Sequence, residues 1–240
     1  MLLPAPVIGL ATAHLPSMVM AMVDATKSRR PLKTRSRPWA IRLAASLARA
    51  GASPNGISLA SVVFAGVAAA ALALSGDFGG GLRAALLLAA AAGIQLRLLC
   101  NLLDGMVAVE GGRRSKSGEL FNDVPDRVAD ALIFVGAGYG LPWAAWGGAF
   151  GWAAALLAVT TAYVRMLGGA LGLAQDFCGP MAKQHRMAVM TGACLLAIGE
   201  GVLVDYRGMA VGLGLGIVVV GSLLTIARRL LRIQRELEAR

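Results

Sequence analysis

The stretch from Ala84 to Asp130, AALLLAAAAGIQLRLLCNLLDGMVAVEGGRRSKSGELFNDVPDRVAD, holds an apolar run, a short basic interruption and the start of a second run. Residues 84 to 109 are enough to cross a bilayer, which takes about 20 predominantly apolar residues in a helix. Arg113, Arg114 and Lys116 then break the pattern, and the chain turns back within a few residues. The stretch therefore predicts two consecutive membrane-spanning helices that are antiparallel neighbours. It also places Asn101, Asp104, Asn122, Asp126 and Asp130 where ionisable and strongly polar groups are expensive.

The rest of the chain agrees with that reading. Of its 240 residues, 57% are hydrophobic and only 15% charged, with a mean hydropathy of +0.68, which does not describe a soluble surface. The 31 glycines and the abundant Ala, Leu and Val suit closely packed spanning helices. The apolar runs are continuous instead of alternating, which excludes an outer-membrane barrel. The predicted fold is an all-α integral membrane protein with six transmembrane helices, near 56 to 75, 84 to 109, 120 to 140, 143 to 171, 186 to 204 and 208 to 227. Cys100, Cys178 and Cys194 have no metal-ligand or disulfide spacing and read as small apolar residues.

The net charge of +10 has no base-stacking aromatics interleaved with it, so no nucleic acid is expected as a partner. Its distribution points to topology. Eight Lys and Arg lie between Lys27 and Arg49, three from Arg113 to Lys116, two at Lys183 and Arg186, and five from Arg228 to Arg240. All four groups fall on one side of a six-span path, while the opposite loops hold only Arg83 and Arg207. Both termini and the loops after the second and fourth spans are expected to be cytoplasmic, in a bacterial inner membrane.

Three regions follow. Residues 1–37 form an apolar, then basic, arm; Pro4, Pro6, His14 and Pro16 and the lack of a basic leader segment argue against an ordinary secretory signal. Residues 38–228 form the membrane domain, opened by Pro38 to Arg49, where Trp39, Leu43 and Leu47 fall at helical spacing. That segment reads as an N-terminal amphipathic helix lying in the interface, or as a plain basic linker. Residues 229–240 form a basic cytoplasmic tail on the lipid surface.

The polar residues are patterned. Asn101 and Asp104 are three apart on one helix face, and Asn122, Asp126 and Asp130 follow one another at intervals of four. Pro125, which costs a backbone hydrogen bond, is easiest to tolerate near the start of its helix. If the two faces converge, their oxygens suit Mg2+, Mn2+ or Ca2+ and not a thiophilic metal. Gly105 and Ala108 make a small patch where a ligand could approach the backbone. Two other readings stay open: interhelical hydrogen bonds with acids paired to Arg127 or Arg114, and a proton or cation pathway.

In their spacing these residues resemble the signature of the CDP-alcohol phosphatidyltransferase family, D-x2-D-G-x2-A-R-x8-G-x3-D-x3-D. Asn101 stands at the first Asp position, Asp104 at the second, Gly105 and Ala108 match, Val109 replaces the Arg, Gly118 matches, Asn122 stands at the third Asp position and Asp126 at the fourth. Ser53-Pro54-Asn55 is similar to the Ser/Thr-Pro-Asn that opens the family's membrane core. The similarity covers roughly residues 38 to 228.

The resemblance implies phospholipid synthesis: an acceptor alcohol displaces CMP from a CDP-linked lipid such as CDP-diacylglycerol, with Mg2+ or Mn2+ as cofactor. It makes Asn101, Asp104, Asn122 and Asp126 the metal ligands, Asp126 the general base, and Gly105, Ala108 and Gly118 the room for the cytidine diphosphate. Amides at two of the four positions lower the charge of the site and with it the metal affinity, to as few as one ion. Asp123, Asp130 and Glu119 are the nearby acids that could restore charge, and Arg113 or Arg114 could replace the missing Arg. The rival functions are a weak or inactive paralogue that binds a nucleotide-lipid, and a small transporter using the same acids.

A second basic cluster comprises Arg165, after Tyr163 and Val164, with Lys183 and Arg186 at the start of the fifth span. It resembles the acceptor-side positions of members that use phosphorylated alcohols, and equally suits anchoring on anionic headgroups. His185 reads as a cap or headgroup contact. Gly147-x3-Gly151 and Gly208-x3-Gly212-x3-Gly216 permit close helix contact. The resemblance implies a homodimer, while packing within one subunit is the simpler reading of these glycines.

Overall fold

Proline sets two of the helix starts. It occupies the first helical turn after Arg37 and again after Ser53, where its missing N–H costs nothing and its fixed φ is already helical. Ser53 caps the second helix by accepting the Gly56 N–H at 3.1 Å, so the Ser-Pro-Asn run is a helix-start signal in its own right. Gly51, at φ 82°, makes the left-handed turn between the two helices.

The computed structural model describes residues 37–110, 118–203 and 207–240, and no strand occurs among them. Seven helices lie among the described residues: α1 (Pro38–Arg49), α2 (Pro54–Leu74), α3 (Gly80–Glu110), α4 (Gly118–Tyr139), α5 (Gly147–Ala170), α6 (Lys183–Leu203) and α7 (Met209–Glu238). Four of them, α2, α3, α5 and α7, are long and apolar enough to cross a membrane. The arm over residues 1–36, Arg113, Arg114 and the side chain of Glu119 lie outside the described residues.

The helices close into a bundle in which α2 packs on both α3 and α4, α4 on α5, α3 on α6, and α7 on both α5 and α6. The core is apolar, with Leu87, Ile94, Ile133, Phe134, Met187, Met190 and Leu215 fully buried. Small residues set the spacing: a Cβ on Gly93 would lie 2.8 Å from the Phe64 carbonyl oxygen, and one on Gly151 2.6 Å from that of Phe134. The outer face is the reverse of a soluble protein's, with Leu59, Val63, Leu156, Leu196, Leu213 and Val220 all exposed.

Three features of the packing depart from the expectations above or go beyond them. First, α3 and α4 touch only sparsely, although consecutive in sequence. Both lean on α2, and the long side chain of Arg97 spans the gap between them. Second, α1 buries Ala40 and Ala44 against Leu102, Leu103, Met106 and Val107, while Trp39 is 49% exposed and Leu43 faces outward. Alanine wins the inner face because it lets the α1 backbone approach α3, leaving the large residues for lipid. Third, Arg83 is not a loop residue. It lies buried in the first turn of α3, donating to the Ala197 carbonyl at 2.9 Å and to Glu200 at 3.1 Å. Glu200 in turn accepts the N–H groups of Gly208 and Ala210, capping the start of α7. This cluster fastens three helix ends at the side of the bundle away from the acids.

Pro125 lies within α4, two turns from its start. It leaves the Phe121 carbonyl without an intrahelical partner just before Asp126.

Candidate active site

The final turns of α3 and α5, the first turns of α4 and α6 and the start of α2 all meet at one end of the bundle, and each contributes a polar group. Asp104 is buried, with Oδ2 accepting from the Ser58 hydroxyl at 2.7 Å and Oδ1 from the Gly105 N–H at 2.5 Å. It lies close enough to Asp126 and Lys183 to feel their charges. Asp126, also buried, accepts at Oδ1 from the Asn101 amide at 2.6 Å and at Oδ2 from Lys183 Nζ at 2.5 Å. Asp130 is held by two arginines, Arg97 at 2.5 Å and Arg186 at 2.7 Å. Asp123, at the rim, takes Arg127 at 3.2 Å and Arg165 at 3.1 Å.

The residues singled out in the sequence divide accordingly. Asn101, Asp104 and Asp126 come together. Asn122 is exposed one turn before Asp126. Gly105 and Ala108 are half-buried beside Asp104, and Gly118 opens α4. Arg165 reaches the rim, paired with Asp123 and with its guanidinium 5.4 Å over the Phe177 ring. Arg186 is not a rim cation: it is 2% exposed and committed to Asp130, the Thr161 hydroxyl and the Met181 carbonyl. Lys183, expected on the acceptor side, sits on Asp126 instead. Asp130 and Asp123, the acids expected to restore charge, are both neutralised by arginines. His185 caps locally, with Nδ1 donating to the Pro180 carbonyl at 2.8 Å.

Two participants are silent in the sequence. Ser58 carries no motif and is recognisable only once α2 lies against α3. Arg97 is a lone arginine inside an apolar run, and its partners are about thirty residues away. Arg97 is wholly buried, and it also donates to the Asp126 carbonyl at 3.2 Å.

A second polar region borders the first. Arg229 of α7 donates to the Cys178 carbonyl at 3.0 Å and the Thr161 carbonyl at 2.6 Å, pinning the loop between α5 and α6. In that loop Asp176 accepts from the Cys178 N–H and thiol, each at 2.8 Å. Burial alone would raise the Asp176 carboxyl, but these bonds and the charges of Arg232 and Arg229 outweigh it and hold it below the usual carboxylate range. A shallow surface depression lies beside it, lined in part by Arg165, Asp176, Arg229 and Glu236 and by none of the buried acids.

The donor set at Asp104, Asp126 and Asn101 is hard oxygen, which fits a divalent cation such as Mg2+ or Mn2+. It is a sparse set: among the described residues, no group of three or more His, Cys, Asp or Glu is placed to hold a metal together.

No protein-family model matches the chain. Two curated relatives do: a phosphatidylinositol phosphate synthase of Mycobacteroides abscessus, 27% identical over 199 residues, covering 78% of this chain and 80% of the relative, and one of Streptomyces avermitilis, 31% identical over 201 residues, covering 80% and 77%. In fold the chain is similar to the Mycobacterium tuberculosis phosphatidylinositol phosphate synthase crystallised with manganese and citrate, at a TM-score of 0.66 and 19% identity over 81% of this chain and 88% of the other. It is equally similar to that enzyme with CDP-diacylglycerol bound, at 0.65 and 20% over 81% and 92%. An identity of 31% sustained over four-fifths of the chain places this protein in the CDP-alcohol phosphatidyltransferase family.

Proposed function

We propose that the protein transfers a phosphatidyl group from CDP-diacylglycerol to an acceptor alcohol and releases CMP, a step of phospholipid biosynthesis. The observation that carries this is the pair of buried carboxylates, Asp104 and Asp126, at one end of an apolar bundle whose relatives are phosphatidylinositol phosphate synthases. The acceptor hydroxyl attacks the phosphorus on the lipid side of the diphosphate, and the bond to the CMP oxygen breaks. Asp126 is the general base, poised by Asn101 on one oxygen and Lys183 on the other. Ser58 and the Gly105 N–H fix Asp104 in place. Gly105, Ala108 and Gly118 leave backbone-close space for the nucleotide. Asp104, Asp126 and the Asn101 oxygen, with Asn122 an outlying ligand, would hold a Mg2+ or Mn2+ ion, which would supply charge neutralisation of the diphosphate.

On the acceptor side, Arg165 remains the partly exposed cation for a phosphorylated alcohol. Arg186 acts through Asp130, as the arginine that keeps it paired. The bundle spans the membrane six times: α4 and α6, at 22 and 21 residues, each rise about 30 Å, the thickness of a bilayer core, and pair most of their charges internally. Both termini and the acid-bearing end face the cytoplasm of a bacterial inner membrane, with α1 in the interface.

The test is CMP release from CDP-diacylglycerol by purified protein with Mg2+ or Mn2+ and a panel of inositol phosphate, glycerol phosphate, serine and inositol. Metal-dependent release with one acceptor is expected, abolished in Asp126→Asn. Binding of CDP-diacylglycerol without release from any of them would replace the transferase with a nucleotide-lipid binding protein.

A further inference from the structure

The end of the bundle that holds the acids is already compensated by side chains. Asp123, Asp126 and Asp130 are joined to Arg97, Arg127, Arg165, Lys183 and Arg186 by ion pairs from 2.5 to 3.8 Å, with Asp104 buried beside them. Among the described residues, these five cations against four acids leave one positive charge before any ion arrives. Two divalent ions would add four more positive charges to a site in which Asp126 already meets Lys183, Arg97 and Arg127, and Asp104 is held by the Ser58 hydroxyl and the Gly105 N–H.

Lys183 is unlike the four arginines. Arg97 and Arg186 are fixed in the interior, and Arg127 and Arg165 hold the rim acid Asp123. Lys183 is the first residue of α6, its side chain is 28% exposed, and its ammonium lies on Oδ2 of Asp126, the oxygen that Asn101 leaves open. An ammonium is a compact point charge on a flexible stem, able to stay on a carboxylate or to swing to a phosphate oxygen. The Asn101 amide points its N–H at Asp126, so the neighbour that could have been a second carboxylate acts as a donor.

We propose that Lys183 is a built-in cation that takes the place of one divalent ion at Asp126 and neutralises the diphosphate of the nucleotide-lipid, leaving the site one metal ion at most. The diphosphate comes from the transferase reading above; the metal count does not depend on it.

Manganese titrated into the purified, detergent-solubilised protein, with free Mn2+ counted by electron paramagnetic resonance, tests the count without any variant. No more than one Mn2+ per wild-type chain is expected, and two would overturn the proposal. In Lys183→Met, Mn2+ binding tightens about tenfold, because a unit charge a few ångströms from the ion is gone and even well-screened charges at that distance matter on this scale. Binding of CDP measured in EDTA weakens several-fold in the same variant and is kept by Lys183→Arg. A residue with a merely structural role would weaken both when lost, and an acceptor-side lysine would change neither; either result overturns the proposal. Should Lys183→Met fail to fold, Lys183→Gln gives the same two readouts. CMP release is scored separately, so a protein that binds one Mn2+ and releases no CMP loses the transferase reading and keeps the metal count.

Discussion

Arg97 has no exposed surface, and its Nε and Nη1 find no partner among the described residues, yet it is the link between the two helices that carry the acids. An arginine so placed is tolerable only because Asp130 and the Asp126 carbonyl take its remaining N–H groups. Removing it leaves buried Asp130 with Arg186 as its single cation, and losing one member of a buried charge network costs at most about 3 to 5 kcal/mol. Arg97→Met is therefore expected to lower the unfolding midpoint in detergent, and Arg97→Met combined with Asp130→Leu to lower it further, because Arg186 is then buried without its carboxylate. A single variant as stable as wild type would show that the pair contributes nothing. Ser58→Ala leaves one oxygen of buried Asp104 without its hydroxyl donor; the expected cost is about 1 to 3 kcal/mol, together with reduced metal-dependent turnover. The sequence identified Asp104, Asp126 and Asn101 as a group because helical spacing is visible in one dimension. It could not show that Lys183 and Arg186 would be drawn to the acids, because an ion pair between residues 56 or 57 positions apart depends on how helices pack.

At the scale of elements, length and polarity of each helix were legible, and neighbour relations were not. A short loop brings two helix ends close but does not make the helices pack along their length, and α3 and α4 both prefer α2, whose small residues admit them closely. The inner face of α1 was not legible for a related reason: large apolar residues mark the buried face in water, whereas in lipid they are equally at home outside. Ala44 is the position that decides between these faces, being fully buried against α3, while Leu43 beside it is outward. Ala44→Leu should wedge α1 from the bundle, at a cost of about 1 to 3 kcal/mol typical of overpacking, and expose Arg42 and Arg49 to trypsin. Leu43→Ala should leave that cleavage pattern unchanged. Equal protection in both variants would mean that α1 is held by the interface and not by α3. The Gly147-x3-Gly151 pattern, by contrast, was readable: these glycines meet Gly138 of α4 within the same chain.

The whole molecule is arranged around a charge asymmetry. The cationic, acid-bearing end gathers the start of α2, the end of α3, the loop between α5 and α6 and the tail of α7, while the opposite end has the Arg83–Glu200 pair buried and self-neutralised. An arginine whose charge is cancelled by Glu200 contributes little to a topology signal, so the asymmetry is sharper in the structure than the count of Lys and Arg alone implies. The orientation can be read directly. Asp77 lies in the exposed turn between α2 and α3, and Glu238 ends α7, so the two sites sit on opposite sides if the bundle crosses the membrane as proposed. In a background without the three native cysteines, Asp77→Cys should react with a membrane-impermeant maleimide in intact spheroplasts, and Glu238→Cys only after permeabilisation. The reverse pattern would put the acids on the outer side, away from any cytoplasmic nucleotide. Labelling of both without permeabilisation would mean that an even number of spans lies between the Asp77 turn and the tail, where six-span topology requires five.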